Sequence, residues 1–278
     1  MEHKIKSFSK INVHLNVIKK LKSNFHRIET LVMFSDLYDL LYVKKINAKK
    51  HKITFYGKFS KNISSTNTIS KLLDLLDKKK LLKYKYKIKI KKNIPTQSGM
   101  GGGSINAATL LNYFNKIEKL YLNKKKLLKI CTQIGSDVCL GLNTKNKIIT
   151  KNGKMREFNK KIKLYLTIVK PDYGCKTGQI YQKIKNYSDF QLSNNKIPNV
   201  KKLIKLNNDL ETIVFKKYPS LGKLKNELTS LKNILFARMT GSGSAFVAYF
   251  LTKKDALNGT KLIKKKYKKH WCISSKTI

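Results

Sequence analysis

The feature that most constrains the fold is a glycine-rich segment between a predicted strand and a predicted helix. Residues 85–91 alternate Lys with apolar residues, a period-2 pattern typical of a β-strand with one buried face. Four glycines then occupy five positions, namely Gly99, Gly101, Gly102 and Gly103 around Met100. Such a cluster costs more conformational entropy on folding than a simple turn requires. Its physical use is close approach of backbone N–H groups to a phosphate, which a helix N-terminus directly after it would strengthen.

The helix after the glycines is predicted from residues 105–117, where Ala108, Leu111 and Ile117 lie on one helical face. Ser104 or a neighbouring residue is expected to cap its start. The segment is not a Walker P-loop, because it lacks the G-x-x-x-x-G-K-[ST] pattern. It is not a Rossmann G-x-G-x-x-G either, because Ser104 stands where the last glycine is required. A purely structural glycine turn is the alternative, but the flanking strand and helix favour a phosphate cradle.

Other patterns indicate a mixture of strands and helices with antiparallel character, which predicts an α+β fold. The predicted strands are residues 11–17, 164–169 and 246–251, and the predicted further helices are residues 124–134 and 218–232. The sequence Asn152-Gly153 marks a turn. We place a lobe boundary there, which divides the chain into residues 1–155 and 156–278.

The formal net charge of +46 invites a nucleic-acid interpretation. However, only three of the basic residues are Arg, namely Arg27, Arg156 and Arg238, and the other 58 are Lys. Base readout and bidentate phosphate contacts favour Arg, and the Lys are scattered along the chain. We therefore expect no specific nucleic-acid partner, although a positive field would help to capture an anionic nucleotide substrate.

The cysteines and the apolar runs constrain the compartment. The four cysteines, Cys131, Cys139, Cys175 and Cys272, form no C-x-x-C pair and have no zinc-like spacing to His. No apolar run approaches the roughly 18 residues that span a bilayer, and the N-terminal residues contain no apolar signal core. These observations predict a reduced protein in the cytoplasm, with no membrane partner.

The glycine segment also resembles a known family motif. The run Pro95-x-x-x-Gly99-Met-Gly-Gly-Gly-Ser-x-Asn-Ala-Ala is similar to the second motif of the GHMP kinase family, with Ile105 where that family usually has Ser. Further resemblances follow in the family's order: Lys10-Ile-Asn12, Asn24-Phe25-His26, Asn67, Gly135-Ser-Asp137-Val, Asn208-Asp-Leu-Glu211 and Met239-Thr-Gly-Ser-Gly-Ser-Ala245. Asn24 and Phe25 depart from the family's usual Gly-Tyr.

The resemblance implies a fold and a set of residue roles. It implies two lobes with the active site in the cleft between them. It also implies ATP as co-substrate together with Mg²⁺, whose protein ligands the sequence does not assign. Asp137 would be the catalytic base, with Lys10 as its partner. The residues implied for ATP are Asn67, Pro95, Gly99, Gly101, Gly102, Gly103 and Ser104. The residues implied for the acceptor substrate are Asn12, Phe25, His26, Thr177, Tyr181 and Thr240, with Phe25 and Tyr181 on opposite faces of a cytosine ring.

Taken one at a time, these residues have simpler interpretations. A lone Asp at position 137 would more often cap a helix, and Asn208 with Asp209 is predicted to do so. Phe25 and Tyr181 would be ordinary core aromatics. The resemblance implies phosphorylation of a cytidine diphosphate alcohol by ATP. The alternatives are another GHMP kinase, a basic nucleic-acid-binding protein, or a degenerate kinase kept as a binding module, against which the intact Lys10, Asp137 and glycine loop argue.

Overall fold

The computed structural model describes residues 1–22, 25–150, 153–160, 162–192 and 198–278. These residues form two compact units that alternate along the chain. The first unit contains Met1–Lys10, Leu37–Thr96 and Gly101–Thr144, and the second contains Ile11–Asp36, Gln97–Met100 and Lys145–Ile278. The division therefore differs from a single boundary after residue 155, because two long strands near the N-terminus each contribute to both units. The predicted turn at Asn152 lies outside the described residues.

Strands of the first unit are built on alternating apolar side chains. Strand β1 spans Glu2–Lys20, β2 spans His26–Ile46, β3 spans Lys52–Tyr56 and β4 spans Lys85–Lys91. β4 pairs antiparallel with the end of β2, from Leu40 opposite Lys91 to Ile46 opposite Lys85, and parallel with β3, while β1 pairs with β2. The apolar residues of β4 are buried and its Lys side chains lie on the other face, as the period-2 pattern predicts.

Helices cover one side of these strands. Helix α1 spans Thr68–Lys78, α2 spans Gly102–Ile117 and α3 spans Lys124–Ile134, and a 3₁₀ helix follows at Ser136–Leu142. The core of this unit joins the apolar residues of β4 to those of all three helices. Gly141 in the 3₁₀ helix lies against α2, since a Cβ there would come within 2.8 Å of the Ala108 Cβ.

The second unit contains a four-stranded antiparallel sheet with helices packed on it. Strands β5 (Asn146–Ile149) and β6 (Met155–Phe158) extend from the start of β2, and β7 (Tyr165–Lys170), β8 (Phe236–Met239), β9 (Phe246–Phe250) and β10 (Trp271–Lys276) form the sheet in the order β10-β7-β9-β8. The helices are α4 (Thr177–Tyr181), α5 (Val200–Lys205), α6 (Leu210–Lys217), α7 (Pro219–Thr229) and α8 (Lys253–Lys266). Apolar residues of the sheet and of α4, α6, α7 and α8 form one core.

The α+β class is confirmed, and most predicted elements appear close to their expected bounds. β4 and α3 match the predictions residue for residue, and the predicted strand at 11–17 lies within β1. α7 is shorter than the predicted helix at 218–232, because Pro219 can only begin a helix and Ser230 closes it. No helix in the described ranges is long and apolar enough to cross a membrane.

Candidate active site

The glycine loop ends in the first turn of α2. Gly101 occupies the cap position with φ of +70°, a left-handed conformation that favours glycine, and it makes no side-chain cap hydrogen bond. The prediction that Ser104 or a neighbour supplies a side-chain cap is wrong: Ser104 is the third residue of the helix. An α-helix leaves its first-turn N–H groups without intrahelical acceptors. Gly102, Gly103 and Ser104 therefore present the donors that a phosphate requires.

Side chains of the first unit fix the position of the loop. A Cβ on Gly101 would lie 2.8 Å from the Cγ of Lys10, so the loop rests directly on the aliphatic part of that side chain. The Thr68 hydroxyl donates a 2.7 Å hydrogen bond to the Gly103 carbonyl, which ties the start of α1 to the start of α2. Pro95, at the entrance of the segment, is buried.

Asn67 caps α1 through its side-chain oxygen and its backbone N–H. Its Oδ1 accepts hydrogen bonds from the N–H groups of Ile69 (2.9 Å) and Ser70 (3.1 Å), and its Nδ2 donates to the Ser64 carbonyl at 2.9 Å. The Ser70 hydroxyl accepts from the Asn67 N–H in return, which completes a capping box. Asn67 therefore fixes the start of α1, where the next residue, Thr68, is hydrogen-bonded to the glycine loop.

Lys10 and Asp137 meet although they are far apart in sequence. The Lys10 Nζ lies 3.5 Å from an Asp137 carboxylate oxygen. The lysine side chain is 4% exposed and the aspartate side chain 46% exposed, so the pair has one buried and one accessible member. The alternative that Asp137 caps a helix is wrong, because Gly135 occupies the cap position and Asp137 is the second residue of the 3₁₀ helix. The accessible carboxylate can accept a proton from a bound hydroxyl group.

Asn12, Gly99 and Thr240 come together in the second unit. The Thr240 hydroxyl accepts a 2.9 Å hydrogen bond from the Asn12 N–H and donates one of 3.3 Å to the Gly99 carbonyl. The Asn12 side chain donates to the Thr30 hydroxyl at 2.9 Å. Gly99 must be glycine here: its φ is +74°, and a Cβ would fall 1.9 Å from the Thr240 carbonyl oxygen.

Three of the remaining predicted substrate residues make contacts in the same unit. The rings of His26 and Tyr181 lie 5.4 Å apart between centroids at 42°, and the Thr177 hydroxyl is 2.8 Å from that of Ser242. Burial, with a smaller contribution from the Lys20 charge, lowers the pKa of His26, so its imidazole is neutral near pH 7. Phe25 is 70% exposed and does not behave as a core aromatic. Asn24 lies outside the described residues.

Sequence reasoning missed a buried charge pair under the loop. The Asp39 carboxylate is fully buried and forms an ion pair with the Lys92 ammonium. It also accepts hydrogen bonds from the N–H groups of Asn93 and Ile94 (both 2.8 Å) and from the Asn106 side chain (2.9 Å). A charged residue within the apolar run Leu37-Tyr-Asp-Leu-Leu41 was the available signal.

Comparison with known proteins identifies the family. The family model "GHMP kinases N terminal domain" matches residues 67–145, and "GHMP kinases C terminal" matches residues 191–269. The chain is 48% identical to the 4-diphosphocytidyl-2-C-methyl-D-erythritol kinase of Pelagibacter ubique, with 99% of each chain covered. It is 32% identical to the same-named enzyme of Petrotoga mobilis, over 86% of this chain and 96% of the relative.

Solved structures share the fold. A crystal structure of 4-(cytidine 5'-diphospho)-2C-methyl-D-erythritol kinase superposes with a TM-score of 0.80 at 19% identity, covering 99% of this chain and all of the other. Homoserine kinase from Cytophaga hutchinsonii gives a TM-score of 0.72 at 13% identity, covering 100% and 94%. At these identities the likeness establishes the fold alone. Together with the two family models and the full-length relatives, it shows that the chain belongs to the GHMP kinase family.

Proposed function

We propose that the protein transfers the γ-phosphoryl group of ATP to the 2-hydroxyl of 4-diphosphocytidyl-2-C-methyl-D-erythritol, a step of non-mevalonate isoprenoid synthesis. The observation that carries the proposal is the Lys10–Asp137 pair, at 3.5 Å, with Lys10 in contact with Gly101 of the phosphate loop. The 48% identity to a same-named relative over the full chain supports this choice of substrate.

The glycine loop holds the ATP phosphates in this proposal. The first-turn N–H groups of α2 and the helix dipole supply fixed positive potential without a side chain that could block the approach. Phosphoryl transfer is mostly a matter of positioning and charge stabilisation, which preformed N–H donors provide. Asn67 and Thr68 hold the loop from the side of α1.

Asp137 acts as the general base. The 2-hydroxyl oxygen forms a bond to the γ-phosphorus, the bond between that phosphorus and the β–γ bridging oxygen breaks, and ADP leaves. The hydroxyl proton passes to the Asp137 carboxylate, which is accessible enough to reach it. Lys10, buried and anchored along the loop, balances the carboxylate charge and orients the hydroxyl oxygen.

The residues present fit a Mg²⁺ ion carried mainly by ATP. Among the residues that the structure describes, no three His, Cys, Asp or Glu side chains form a metal cluster. Mg²⁺ does not need such a cage, because it usually keeps several waters and binds substrate phosphates with one or two carboxylates. Asp137 is the half-exposed carboxylate beside the loop that could serve it. The ion would supply neutralisation of the phosphate charge.

The second unit supplies the acceptor site. We assign the cytosine ring to Tyr181 and Phe25, with the neutral His26 at its polar edge, and the remainder of the substrate to Asn12, Thr177 and Thr240. The exposed Phe25 ring offers a free face for stacking. The net charge of +46 would attract both anionic substrates. We further propose a cytoplasmic location, where both would be available.

The test is an ADP-release assay with four acceptors: the diphosphocytidyl alcohol, mevalonate, homoserine and galactose. We expect turnover only with the diphosphocytidyl alcohol. Preferential turnover of any other acceptor would assign the protein to another GHMP kinase activity. A filter-binding titration with duplex DNA addresses the nucleic-acid alternative, since binding that is purely electrostatic weakens steeply with salt. Tight, sequence-selective binding at about 0.2 M salt would favour that alternative instead.

A further inference from the structure

The short segment between α5 and α6 contacts the third glycine motif through a buried amide. Asn208 is 3% exposed, and its Nδ2 donates to the carbonyl oxygens of Met239 and Gly241, both at 2.8 Å. Its Oδ1 accepts from the Leu210 N–H at 3.0 Å. The two carbonyls require a donor and the N–H requires an acceptor, so this orientation of the amide is the one that satisfies every group. Asp209 occupies the cap position of α6 and makes no side-chain cap hydrogen bond, so the predicted capping contact comes from the Asn208 Oδ1 alone.

Glu211 holds the same stretch from its other end. Its Oε1 accepts a 2.8 Å hydrogen bond from the Met239 N–H, while its second oxygen pairs with the Lys225 ammonium. Met239 is thus fixed on both its N–H and its carbonyl, and the Gly241 carbonyl supplies a third fixed point. The residue enclosed by these contacts is Thr240, which is fully buried.

The segment is also hydrogen-bonded to β1. The Leu15 N–H donates to the Asn207 carbonyl at 3.1 Å, and the Asp209 N–H donates to the Leu15 carbonyl at 2.9 Å. The Asp209 carboxylate accepts from the Val17 N–H at 2.6 Å. Residues 207–211 therefore connect β1, a few residues beyond Asn12, to the turn at residues 239–241.

Thr240 connects the turn at residues 239–241 to Asn12 and Gly99 by hydrogen bonds. Its hydroxyl receives the Asn12 N–H at 2.9 Å and reaches the Gly99 carbonyl at 3.3 Å. The backbones of Gly99 and Thr240 are in close contact, because a Cβ on Gly99 would lie 1.9 Å from the Thr240 carbonyl oxygen. A shift of the turn would move both the Asn12 backbone and the end of the glycine loop.

We infer that Asn208 is a positioning residue for the acceptor site: through its two Nδ2 hydrogen bonds it sets Thr240 and, through Thr240, Asn12. This inference rests on the proposed function only where it calls the site an acceptor site. The hydrogen bonds that hold Thr240 are present in the protein without substrate. Asn208 touches no substrate in this proposal. Its role differs from capping because it depends on the two amide hydrogens and not on the oxygen.

The variant Asn208→Asp separates the two roles. It keeps an oxygen for the Leu210 N–H, and Asp caps helices as well as Asn does, but it removes both donors and places an oxygen against two carbonyls. Asn123→Asp is the matched control, because Asn123 caps α3 through a 3.0 Å bond from the Lys126 N–H and is exposed. Circular dichroism and thermal unfolding confirm that each variant is folded. If Asn208→Asp fails to fold, it is replaced by Asn208→Ser. Serine also retains an oxygen for the Leu210 N–H and lacks the amide donors.

Hydrogen–deuterium exchange of the free protein gives the first readout. Loss of one hydrogen bond changes a local opening equilibrium about two- to tenfold, so loss of two should speed exchange about 4- to 100-fold. We expect this in the peptides containing Asn12 and residues 239–241, while α6 exchanges as in the wild type. Faster exchange confined to α6, or no change in either region, would overturn the positioning role. This result does not depend on which acceptor the enzyme uses.

Kinetics give the second readout. We expect the acceptor KM to rise about tenfold in Asn208→Asp, the scale of one or two lost hydrogen bonds, while the ATP KM changes less than twofold. Asn123→Asp should leave both values unchanged. Equal increases in the two KM values would overturn the acceptor-side assignment. If the wild type does not use the diphosphocytidyl alcohol, the proposed function fails, and the exchange data still decide the role of Asn208.

Discussion

Replacing Lys92 by Met should severely destabilise the first unit. The Lys92 ammonium and the Asp39 carboxylate form an ion pair from which water is almost completely excluded, with side chains 4% and 0% exposed. Lys92→Met approximately preserves the length and apolar part of the side chain but leaves the carboxylate charge buried without its cation. Removing one partner of a buried pair typically costs about 3–5 kcal/mol. Most domains have only about 5–15 kcal/mol of stability, so the loss should be evident.

The consequence should extend to the phosphate loop. One Asp39 oxygen accepts the N–H groups of Asn93 and Ile94, and the other accepts the Asn106 side chain in α2. Ile94 in turn supports Gly102, where a Cβ would be 3.1 Å from the isoleucine Cγ2. The carboxylate therefore fixes both sides of the loop, and ATP binding should weaken in any folded Lys92→Met protein.

The double variant Asp39→Asn/Lys92→Met provides the decisive comparison. An amide oxygen at position 39 can still accept from Asn93 and Ile94, and its NH₂ group would face Asn106. The Asn106 Oδ1 is buried without a hydrogen-bond partner, so rotation of that amide would supply the required acceptor. Because neither residue of the pair is charged in the double variant, it should recover at least about 2 kcal/mol relative to Lys92→Met.

The assay is urea unfolding at pH 7, followed by circular dichroism, to which the helices of the first unit contribute. Lys266→Met is the control, since Lys266 forms an exposed pair with Glu227 and its loss should change the midpoint little. The reasoning is refuted if Lys92→Met unfolds at the wild-type midpoint with an unchanged slope. It is equally refuted if the double variant is no more stable than the single one, since the cost would then not arise from an unpaired charge.

Three further predictions address catalysis, substrate binding and pH. Asp137→Asn keeps the size of the side chain and removes the base, so steady-state kinetics should show kcat reduced at least about 10²-fold while ATP still binds; near-normal kcat would exclude general-base catalysis by this residue. Phe25→Ala should raise the KM for the cytidine substrate about 5- to 150-fold, the equivalent of one stacked base, and leave that for ATP unchanged. Burial would raise the pKa of Asp77, but hydrogen bonds from Lys85 and His51 outweigh it and lower the pKa. The stability that Asp77 contributes is therefore present above its unfolded pKa of about 3.9 and is lost as pH falls through the lower folded value. The difference in unfolding free energy between wild type and Asp77→Asn should accordingly shrink between about pH 5 and pH 2, and a difference that grows in this range would contradict the sign.

The local sequence pattern predicts the bounds of an element where the residues of that element alone determine its structure. The alternation of Lys with Tyr86, Ile88 and Ile90 leaves only one way to bury a face, and β4 has the predicted bounds. Helix α3 likewise ends at Gly135, as predicted. The start of α2 was mispredicted because a capping rule based on side chains favours Ser104, whereas Gly101 begins the helix through a backbone conformation that carries no side-chain signal.

Long-range polar contacts could not be predicted from pattern. Asp39 and Lys92 are 53 positions apart, and nothing near Lys92 distinguishes it from other lysines in alternating strands. The Asn208 amide bonds carbonyls more than 30 positions away, at Met239 and Gly241. Both contacts depend on which side chains the fold removes from water, a property of the packed chain and not of any local window.

Four lysines are buried among the residues that the structure describes, and two of them form an ion pair with a carboxylate. Lys10 pairs with Asp137, and Lys92 pairs with Asp39. A buried ammonium must be compensated, because its desolvation is costly, whereas an exposed one is compensated by water at no structural cost. The net charge of +46 is therefore compatible with a small-molecule site.

Contacts with carbonyl groups have a different chemical consequence. Lys170 is 8% exposed, and its Nζ donates to the carbonyl oxygens of Pro171 at 2.7 Å and of Tyr173 at 2.9 Å. A carbonyl oxygen cannot take up a proton at neutral pH, so these contacts stabilise structure and supply no base. The half-exposed Asp137 beside Lys10 can take up a proton, because one side of its carboxylate remains open to a hydroxyl group. It is this combination of a buried cation with an accessible carboxylate, next to first-turn N–H groups of a helix, that favours phosphoryl transfer over simple anion binding.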